Sequence, residues 1–352
     1  SIRRAASDVY KRQFNIGVDA SFLQNSLTVT FDYFHKRTND ILMKPLISSV
    51  FGTEMPMANI GKMQNQGWDL SVNYRLKTGA FTHNFNFNLG DSWNKVLEFP
   101  GDEQITQVEE LSRIIRVGVP LNSYYGYKMA GFFQSYDEIE ASAIPVGAKV
   151  QPGDIKFVDR NDDGIIDSKD KFILGNAFPR YTFGFTYGLN WKGIDFSMFW
   201  QGVGKRDMML RGELIEPYHA NYSYTIYKHQ LDFWTPTNTE ARWPRLAAPG
   251  SDSNRNNYGN GNGSDLFLLD GKYLRLKNLT IGYTLPKEWT KHLGMQKARL
   301  YINGQNLLTF SNNSFIDPES SEFDSKMSTS GANSGRSYPT LRYFGFGVDI
   351  EF

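Results

Sequence analysis

Residues 181–200 read YTFGFTYGLNWKGIDFSMFW, and a large apolar side chain occupies every second position on both sides of one Lys-Gly pair. Most of the intervening residues are Thr, Gly, Asn, Asp or Ser. A period of two is typical of a β-strand, because successive side chains of a strand point to opposite faces. Lys192-Gly193 supplies residues suited to a tight turn. We therefore predict a β-hairpin with one apolar face and one polar face.

The same alternation recurs along most of the chain, and aromatic residues make up 15% of it. No apolar run approaches the roughly 18–20 residues of a membrane-spanning helix. The sequence therefore predicts an all-β fold. Eleven strands are predicted, near residues 14–22, 27–42, 63–76, 80–97, 111–119, 123–133, 180–191, 194–207, 273–285, 297–310 and 340–352.

Two all-β structures fit this alternation. A sandwich would pack the apolar face inward, whereas a membrane barrel would turn it to lipid and line a wet lumen with the polar face. Very short turns at Lys77-Thr78-Gly79 and Lys192-Gly193 alternate with long polar connections at about 134–179, 208–272 and 311–339. Such asymmetry between the two ends is typical of outer-membrane barrels, with the short turns on the periplasmic side. An odd number of strands cannot close a bacterial barrel made from a single chain, so we expect part of a larger barrel.

The bulk composition excludes several classes of function. With 38 Lys and Arg against 37 Asp and Glu, the net charge of +1 leaves no basic excess for a nucleic-acid backbone. There is no cysteine, so disulfides, thiolate metal sites and cysteine nucleophiles are absent. The five histidines show no paired spacing typical of a zinc or nucleophile–base site, so no enzyme is predicted. Residues 1–13 lack strand alternation and an apolar stretch, and are predicted to be a non-native or disordered leader rather than a signal peptide.

Beside the alternation, the chain contains longer stretches of specific sequence, which are GDIKFVDRNDDGIID (153–167), YLRLKNLTIGYTLP (273–286), ARLYINGQNLLTF (298–310), Asp317-Pro318-Glu319 and YPTLRYFGFGVDIEF (338–352). These stretches resemble the SusC/RagA-like branch of TonB-dependent outer-membrane transporters, and the resemblance covers residues 14–352 in order. It implies a barrel of 22 strands with an N-terminal plug, of which this chain would be the C-terminal half. The plug, the signal sequence and the TonB-contacting segment are then expected in a missing N-terminal part.

Residues 159–170 (DRNDDGIIDSKD) have the spacing of a calcium loop. Oxygen-bearing side chains stand at loop positions 1, 3, 5, 9 and 12, Gly164 at position 6 permits a sharp turn, and position 7 would offer a backbone carbonyl. We expect these groups to converge on a possible Ca²⁺. The alternative is an Asx-rich turn that is merely solvated. The predicted ligands are Asp159, Asn161, Asp163, Ile165 (through its carbonyl), Asp167 and Asp170.

One long connection on the predicted outer side is rich in aromatic residues, among them Tyr222, Tyr224, Trp234 and Trp243. Exposed aromatic rings can stack on a sugar or press against a partner protein. The alternative is that they pack the loop onto itself. The chain ends on Phe352, and the family resemblance implies that this aromatic residue is the signal for barrel assembly.

The sequence therefore predicts a multi-pass protein in the lipid of a Gram-negative outer membrane, and the resemblance implies a bacterium of the Bacteroidota type. By resemblance, it would take part in TonB-dependent import of an oligosaccharide or peptide together with a SusD-like lipoprotein, with TonB acting through the missing N-terminal part. The alternative from another class is a soluble or surface β-sandwich that binds carbohydrate. A secreted hydrolase is disfavoured because no catalytic motif is present. The identity of the substrate does not follow from the sequence.

Overall fold

The computed structural model of the chain describes residues 9–43, 56–108, 111–219, 225–259, 262–292, 294–319, 332–333 and 338–352. Strands dominate the described residues. In chain order they are β1 (Tyr10–Phe22), β2 (Leu27–Met43), β3 (Ala58–Thr78), β4 (Phe81–Glu98), β5 (Glu103–Val108), β6 (Leu111–Arg116), β7 (Ser123–Gly126), β8 (Met129–Phe132), β9 (Ile144–Pro145), β10 (Ile155–Phe157), β11 (Ile165–Ile166), β12 (Phe172–Gly175), β13 (Arg180–Trp191), β14 (Ile194–Lys205), β15 (Asp207–Leu210), β16 (Leu268–Asp270), β17 (Tyr273–Thr284), β18 (Lys297–Ser311), β19 (Ala332–Asn333) and β20 (Tyr343–Glu351).

Helices are few and short. No helix among the described residues has the length and apolar character needed to cross a membrane. The α-helices are α1 (Tyr136–Glu140), α2 (Asp252–Tyr258) and α3 (Lys287–Lys291), and 3₁₀ turns cover Ser168–Asp170, Gly212–Leu214, Lys228–Gln230 and Asp265–Phe267.

Nine of the strands form one antiparallel sheet, in the order β1-β2-β3-β4-β13-β14-β17-β18-β20. Each strand pairs with its neighbour in this order, so successive connections alternate between the two ends of the sheet. One end has tight turns, such as the one between β13 and β14, where Trp191 pairs with Ile194. Lys192 and Gly193 adopt φ of 42° and 86° there, the left-handed backbone that a two-residue hairpin requires. The predicted hairpin at 181–200 is confirmed.

The sheet has one apolar and one polar face, as the alternation predicts. Residues that pair directly in an antiparallel ladder lie on the same face. One apolar row runs through Tyr74, Phe85, Tyr187, Met198 and Leu279. The apolar residues of the predicted hairpin share this face, and their polar neighbours lie on the opposite one. The apolar residues are Phe183, Phe185, Tyr187 and Leu189, and the opposite positions are Thr182, Gly184 and Thr186.

The apolar face is not the core of the described fold. Phe346 is 87% exposed, Ile302 59% and Ile16 56%. A sandwich would bury such a row against a second sheet. Instead, the two clusters of buried apolar side chains lie in what we call the loop layer: the described residues between 99 and 179, between 206 and 272, and between 312 and 319. These connections all leave the same end of the sheet.

The structure corrects the predicted strand count. Strands β6 and β7, predicted as 111–119 and 123–133 of the large sheet, belong to a separate sheet in the order β12-β7-β6-β5, and β8 pairs with β10. The large sheet therefore has nine described strands rather than eleven, and β4 pairs directly with β13. The physical reason is burial, because Leu111, Ile114 and Tyr124 are completely buried instead of showing one face to lipid. Because an even number of strands is taken out of the predicted order, the remaining nine strands keep the up and down directions that were predicted for them.

The start of the sheet also differs from the prediction. Strand β1 begins at Tyr10, which pairs with Asn39, so residues 10–13 belong to the sheet and not to the predicted leader. Backbone pairing with β2 extends through these residues although their side chains do not alternate. Residues 1–8 lie outside the described part of the chain.

Candidate functional site

The polar face of the large sheet is a continuous surface of hydrogen-bonding groups. One row passes through directly paired positions at Thr30, Ser71, Asn88, Gly184 and Gln201. It therefore crosses five strands with neutral donors and acceptors. Small and polar side chains at these positions keep the face open, because none of them is bulky.

Amide side chains form a short hydrogen-bonded chain on this face. Asn88 donates from Nδ2 to Oδ1 of Asn86 over 2.8 Å, and Asn86 donates in turn to Oδ1 of Asn73. An amide has both donors and acceptors, so each asparagine keeps capacity for a further partner. This part of the face can therefore bind both hydrogen-bond donors and hydrogen-bond acceptors.

A groove of about 470 Å³ lies on the polar face across β2, β3, β4, β13 and β14. The ring of Phe199 forms part of its wall and lies over Gly184, where an added Cβ would stand only 3.2 Å from Cε2 of that ring. A side chain at this position would crowd the ring, so the glycine leaves room for it. The polar side chains that line the groove are Thr30, Asp32, Asp69, Ser71, Asn88, Thr182 and Gln201.

A second groove, of about 550 Å³, continues toward the loop layer and shares Asp69 and Thr182 with the first. Phe34 forms one wall and lies over Gly67, where a Cβ would stand 2.7 Å from Cζ of the ring. Trp93 lines the same groove. The two connected grooves therefore combine flat aromatic surfaces with polar groups.

Two carboxylates, those of Asp32 and Asp69, line the first groove side by side. Asp32 and Asp69 are directly paired across β2 and β3, and both are exposed. Like charges directly opposite one another in a sheet are unfavourable, by roughly 0.2–1 kcal/mol relative to neutral pairs. Their placement favours a function over a contribution to stability, because carboxylates are strong acceptors for hydroxyl and N–H donors.

The rim between the sheet and the loop layer is fixed by an ion pair. Arg180 holds Asp91 with both arms of its guanidinium, with Nη2 2.6 Å from Oδ2, and the Asp91 side chain is only 3% exposed. The guanidinium also lies 5.0 Å from the centre of the Trp93 ring. A two-pronged arginine–carboxylate pair has a defined geometry. It therefore fixes the start of β13 against β4 and holds the guanidinium beside the Trp93 ring.

A larger charged cluster ties β17 to the loop layer. Arg275, which is 4% exposed, donates to Asp317 over 2.6 Å and to Glu319. Lys277 and the hydroxyl of Tyr273 also donate to Glu319, at 3.1 Å each. Burial alone would raise the pKa of Asp317, but hydrogen bonds led by that from Arg275 lower it to about 2. Two stretches that carry the family resemblance, YLRLKN and Asp317-Pro318-Glu319, are thus one structural unit.

Within the loop layer, Asp154 joins two connections. Its completely buried carboxylate accepts from Ser253 Oγ at 2.8 Å, from Asn257 Nδ2 at 3.1 Å and from the backbone N–H of Gln151 at 2.8 Å. Burial raises the pKa of Asp154, and these hydrogen bonds oppose the rise. The contacts hold α2 against β10.

The predicted calcium loop is compact, but its oxygens face the backbone. Asp159 accepts the N–H of Gly164 at 2.8 Å, and Asp163 accepts that of Ile165 at 3.1 Å. Asp170 is completely buried. Its two oxygens accept two further backbone N–H groups, at 2.9 and 2.8 Å.

The structure does not gather three of the predicted carboxylate ligands at one point. Across the described ranges, no three or more His, Asp or Glu side chains are placed to hold a metal ion. Asn161 donates to Asp163 at 2.8 Å, and Asp167 caps the 3₁₀ turn through the N–H of Lys169 at 2.7 Å. One observation fits a cation all the same, since Oδ1 of Asp159 is buried without a hydrogen-bond partner among the described residues.

Trp234 and Trp243, predicted to contact a ligand or partner, are 8% and 1% exposed. Trp243 Nε1 donates to the carbonyl of His229 at 2.7 Å, and Trp234 Nε1 donates to Gln134 at 3.1 Å. Neither ring can reach a ligand without movement of the loop, so their positions favour the packing alternative. Tyr222 and Tyr224 lie outside the described residues.

The last residue, Phe352, which the resemblance implies is the signal for barrel assembly, follows β20 and is 79% exposed.

Sequence reasoning missed the two aromatic rings of the polar face. A signal was present, because Phe34 and Phe199 occupy positions where the alternation calls for a polar residue. Such an exception to the pattern points to a functional position more than to a structural one. Only the pairing register shows that both rings lie on the same face.

Comparison with known proteins gives a consistent result. Residues 10–307 match the family described as TonB dependent receptor-like, beta-barrel. The chain is 32% identical to a TonB-dependent receptor of Formosa agariphila over 97% of its own length and 34% of that protein. It is 27% identical to the TonB-dependent receptor SusC of Bacteroides thetaiotaomicron over 96% of its length and 31% of that protein.

A solved structure has a similar fold. The chain superposes on the RagAB peptide transporter with a TM-score of 0.74 and 21% identity, covering 97% of this chain and 35% of that one. At this identity the likeness concerns the fold alone. The chain spans about a third of the length of the curated relatives it matches.

Proposed function

Because the chain belongs to the TonB dependent receptor-like, beta-barrel family, we propose that it forms part of an outer-membrane transporter that imports an oligosaccharide or a peptide. The observation that carries the proposal is the two-faced sheet. Its exposed apolar face suits lipid, and its polar face with two connected grooves suits a wet passage. The membrane is the outer membrane of a Bacteroidota-type bacterium.

The chemistry of the grooves suits an oligomeric polar substrate. Sugar rings have apolar faces that stack on Phe34 and Phe199, and hydroxyl groups that donate to Asp32 and Asp69. A peptide would use the same asparagine amides for its backbone groups. Both substrates are uncharged along most of their length and carry many donors. The proposed function involves binding and passage, with no covalent step.

The partners follow from the relatives by analogy. A SusD-like lipoprotein would cover the outer mouth, and TonB would act through a plug outside this chain. Similarity to SusC and to the RagAB transporter supports this part of the proposal. The loop layer, which has its own buried core, offers the surface on which such a lipoprotein would rest.

The test uses the full-length protein in its host. A strain lacking the gene is grown on single oligosaccharides and on peptides as sole carbon source, and is complemented with wild type, Phe34→Ala/Phe199→Ala or the matched apolar-face pair Phe85→Leu/Phe185→Leu. We expect one substrate to require the gene. The polar-face pair should slow uptake of that substrate, while the apolar-face pair supports it at equal surface level. Growth on every substrate without the gene would overturn the proposal.

We further propose that the loop 159–170 holds Ca²⁺ and stiffens this connection. The ligand spacing and the buried, unpartnered Oδ1 of Asp159 support it. Gly164, with φ of 80°, gives the sharp turn at position 6. Asn161 and Asp163 are exposed side chains that bond to each other and to adjacent amides. Together these groups offer only oxygen ligands, as a hard cation requires.

A further inference from the structure

The apolar face contains a groove where β17, β18 and β20 meet. Its volume is about 450 Å³, and its walls are almost entirely apolar. Gly304 forms the floor, since it pairs with Leu279 on one side and Phe344 on the other and contributes no side chain. The remaining apolar walls are Ile281, Ile302, Leu307 and Phe346.

A bulge in β18 shapes the upper wall of this groove. Between the pairs Leu276–Leu308 and Asn278–Gln305 the register shifts, and Asn306 adopts φ of 53°. The extra residue brings Leu307 beside the floor, where a Cβ on Gly304 would stand 2.7 Å from Cδ1 of Leu307. Bulges of this kind redirect a side chain locally. The shape of the groove is therefore set by the backbone of the sheet itself.

The groove continues toward the short-turn end. A second groove of about 500 Å³ shares Ile281, Ile302 and Phe346 with the first and extends to Tyr283 and Val348. The six residues from Leu279 to Thr284, the end of β17, span five steps of roughly 3.4 Å, or roughly 17 Å along the strand and about 13 Å of depth at a tilt of about 40°. That is close to half of the roughly 30 Å hydrocarbon core. The length fits one leaflet.

The connection between β17 and β18, beyond the short-turn end of the groove, is basic. The connection from β17 to β18 carries α3, and residues 285–297 contain three lysines and one glutamate, which leaves a formal charge of +2. Lys287, Lys291 and His292 are exposed there, and Trp289 is 62% exposed. By contrast, the turn at Leu23–Ser26 carries no charge. Exposed tryptophan and lysine together are typical of the boundary between hydrocarbon and headgroups.

We propose that this groove holds an acyl chain of an anionic phospholipid, whose headgroup lies against Lys287 and Lys291. The occupant follows from two observations: the groove is continuous with the exposed apolar face, and its open end carries positive charge. Cationic side chains near a membrane surface attract anionic lipid. The inference rests on the proposed position of the chain in a membrane.

The experiment uses the purified full-length protein in nanodiscs of phosphatidylcholine with and without phosphatidylglycerol, and counts retained lipids by native mass spectrometry. Gly304→Phe fills the groove, and Lys287→Gln/Lys291→Gln removes the headgroup contact. Lys77→Gln/Lys192→Gln removes the same number of charges beside other tight turns and is the matched control. We expect selective retention of phosphatidylglycerol by wild type and the control, and at least about tenfold weaker retention by both groove variants.

Equal retention of phosphatidylglycerol by wild type and the lysine variant would overturn the proposal, as would equal retention of the two lipids by wild type. If Gly304→Phe does not assemble, the lysine variant decides alone. Failure of the proposed transport function is a separate result, because lipid retention is measured on the assembled barrel and does not depend on any substrate.

Discussion

The imidazole ring of His229 lies parallel to the phenyl ring of Phe315, with ring centroids 3.9 Å apart and an angle of 4° between the planes. Nε2 of His229 donates to the carbonyl of Leu214 at 2.8 Å, and its own carbonyl accepts from Trp243. His229 thus holds the 312–319 segment of the loop layer against the segment between 206 and 272. Stacking and hydrogen bonding both require the ring to stay where it is buried.

The loop layer should loosen in mild acid because of His229. Burial lowers the pKa of this imidazole, so the folded loop favours the neutral ring. An opened loop takes up a proton at about pH 6.5, and stability is therefore lost as the pH falls below that value. We expect smaller protection factors for the amides of residues 225–243 at pH 5.5 than at pH 7.5, once the hydrogen-exchange rates are corrected for the slower intrinsic exchange in acid. His229→Gln keeps a donor without titrating, and the same pH dependence in this variant would contradict the assignment.

A charge on the apolar face should impair assembly more than a charge on the polar face. Leu189 pairs with His83 and Phe196 on the apolar face, and Asn190 lies opposite. Because Leu189 is only three residues before the turn at Lys192, Leu189→Arg should cost less than the about 2–4 kcal/mol expected at mid-depth in a bilayer, whereas Asn190→Arg meets the wet side. The measurement is the fraction of heat-modifiable full-length barrel in the membrane. Equal losses for the two variants would argue against a lipid-facing row.

Removing Arg275 should detach the 312–319 segment from the sheet. Arg275→Ala leaves the carboxylates of Asp317 and Glu319, which are 6% and 18% exposed, without their main cation. Breaking a buried pair on one side costs roughly 3–5 kcal/mol. We expect protease cleavage near residue 317 in the variant. The double variant Arg275→Met/Asp317→Asn leaves less uncompensated charge and should recover part of the protection; cleavage equal to that of the single variant would count against the ion pair.

Local patterns were sufficient for the strands of the large sheet. The side-chain period of a strand depends only on its own residues, so the hairpin at 181–200 could be predicted without its neighbours. The same pattern misled at 111–119, because alternation does not tell which sheet a strand joins. Leu111 packs in a cluster with Trp243, a residue far along the chain. That choice depends on long-range packing.

In the candidate site, too, local features could be predicted from the sequence and long-range contacts could not. The polar character of the face follows from the alternation of the sequence, and the calcium loop is predicted from the spacing of its oxygen-bearing residues. The pairing of Arg275 with Asp317, 42 residues apart, does not, because nothing local to either residue specifies its partner. Nor could the sequence show that Phe34 and Phe199 share one face, since their register is set by three intervening strands.

The calcium loop gives the last prediction. Asp163 stands at position 5 of the loop and Asp162 at position 4, which supplies no ligand. Asp163→Ala removes a ligand, whereas Asp162→Asn removes the same charge and keeps a residue that tolerates φ of 55°. If Ca²⁺ holds the loop, calcium should protect residues 159–170 of the assembled protein from protease in wild type and in Asp162→Asn, and not in Asp163→Ala. The barrel should stay intact in all three, because the loop rests on an independently paired sheet. Cleavage of the wild type that is identical with calcium and with a chelator would leave the segment as an acidic turn.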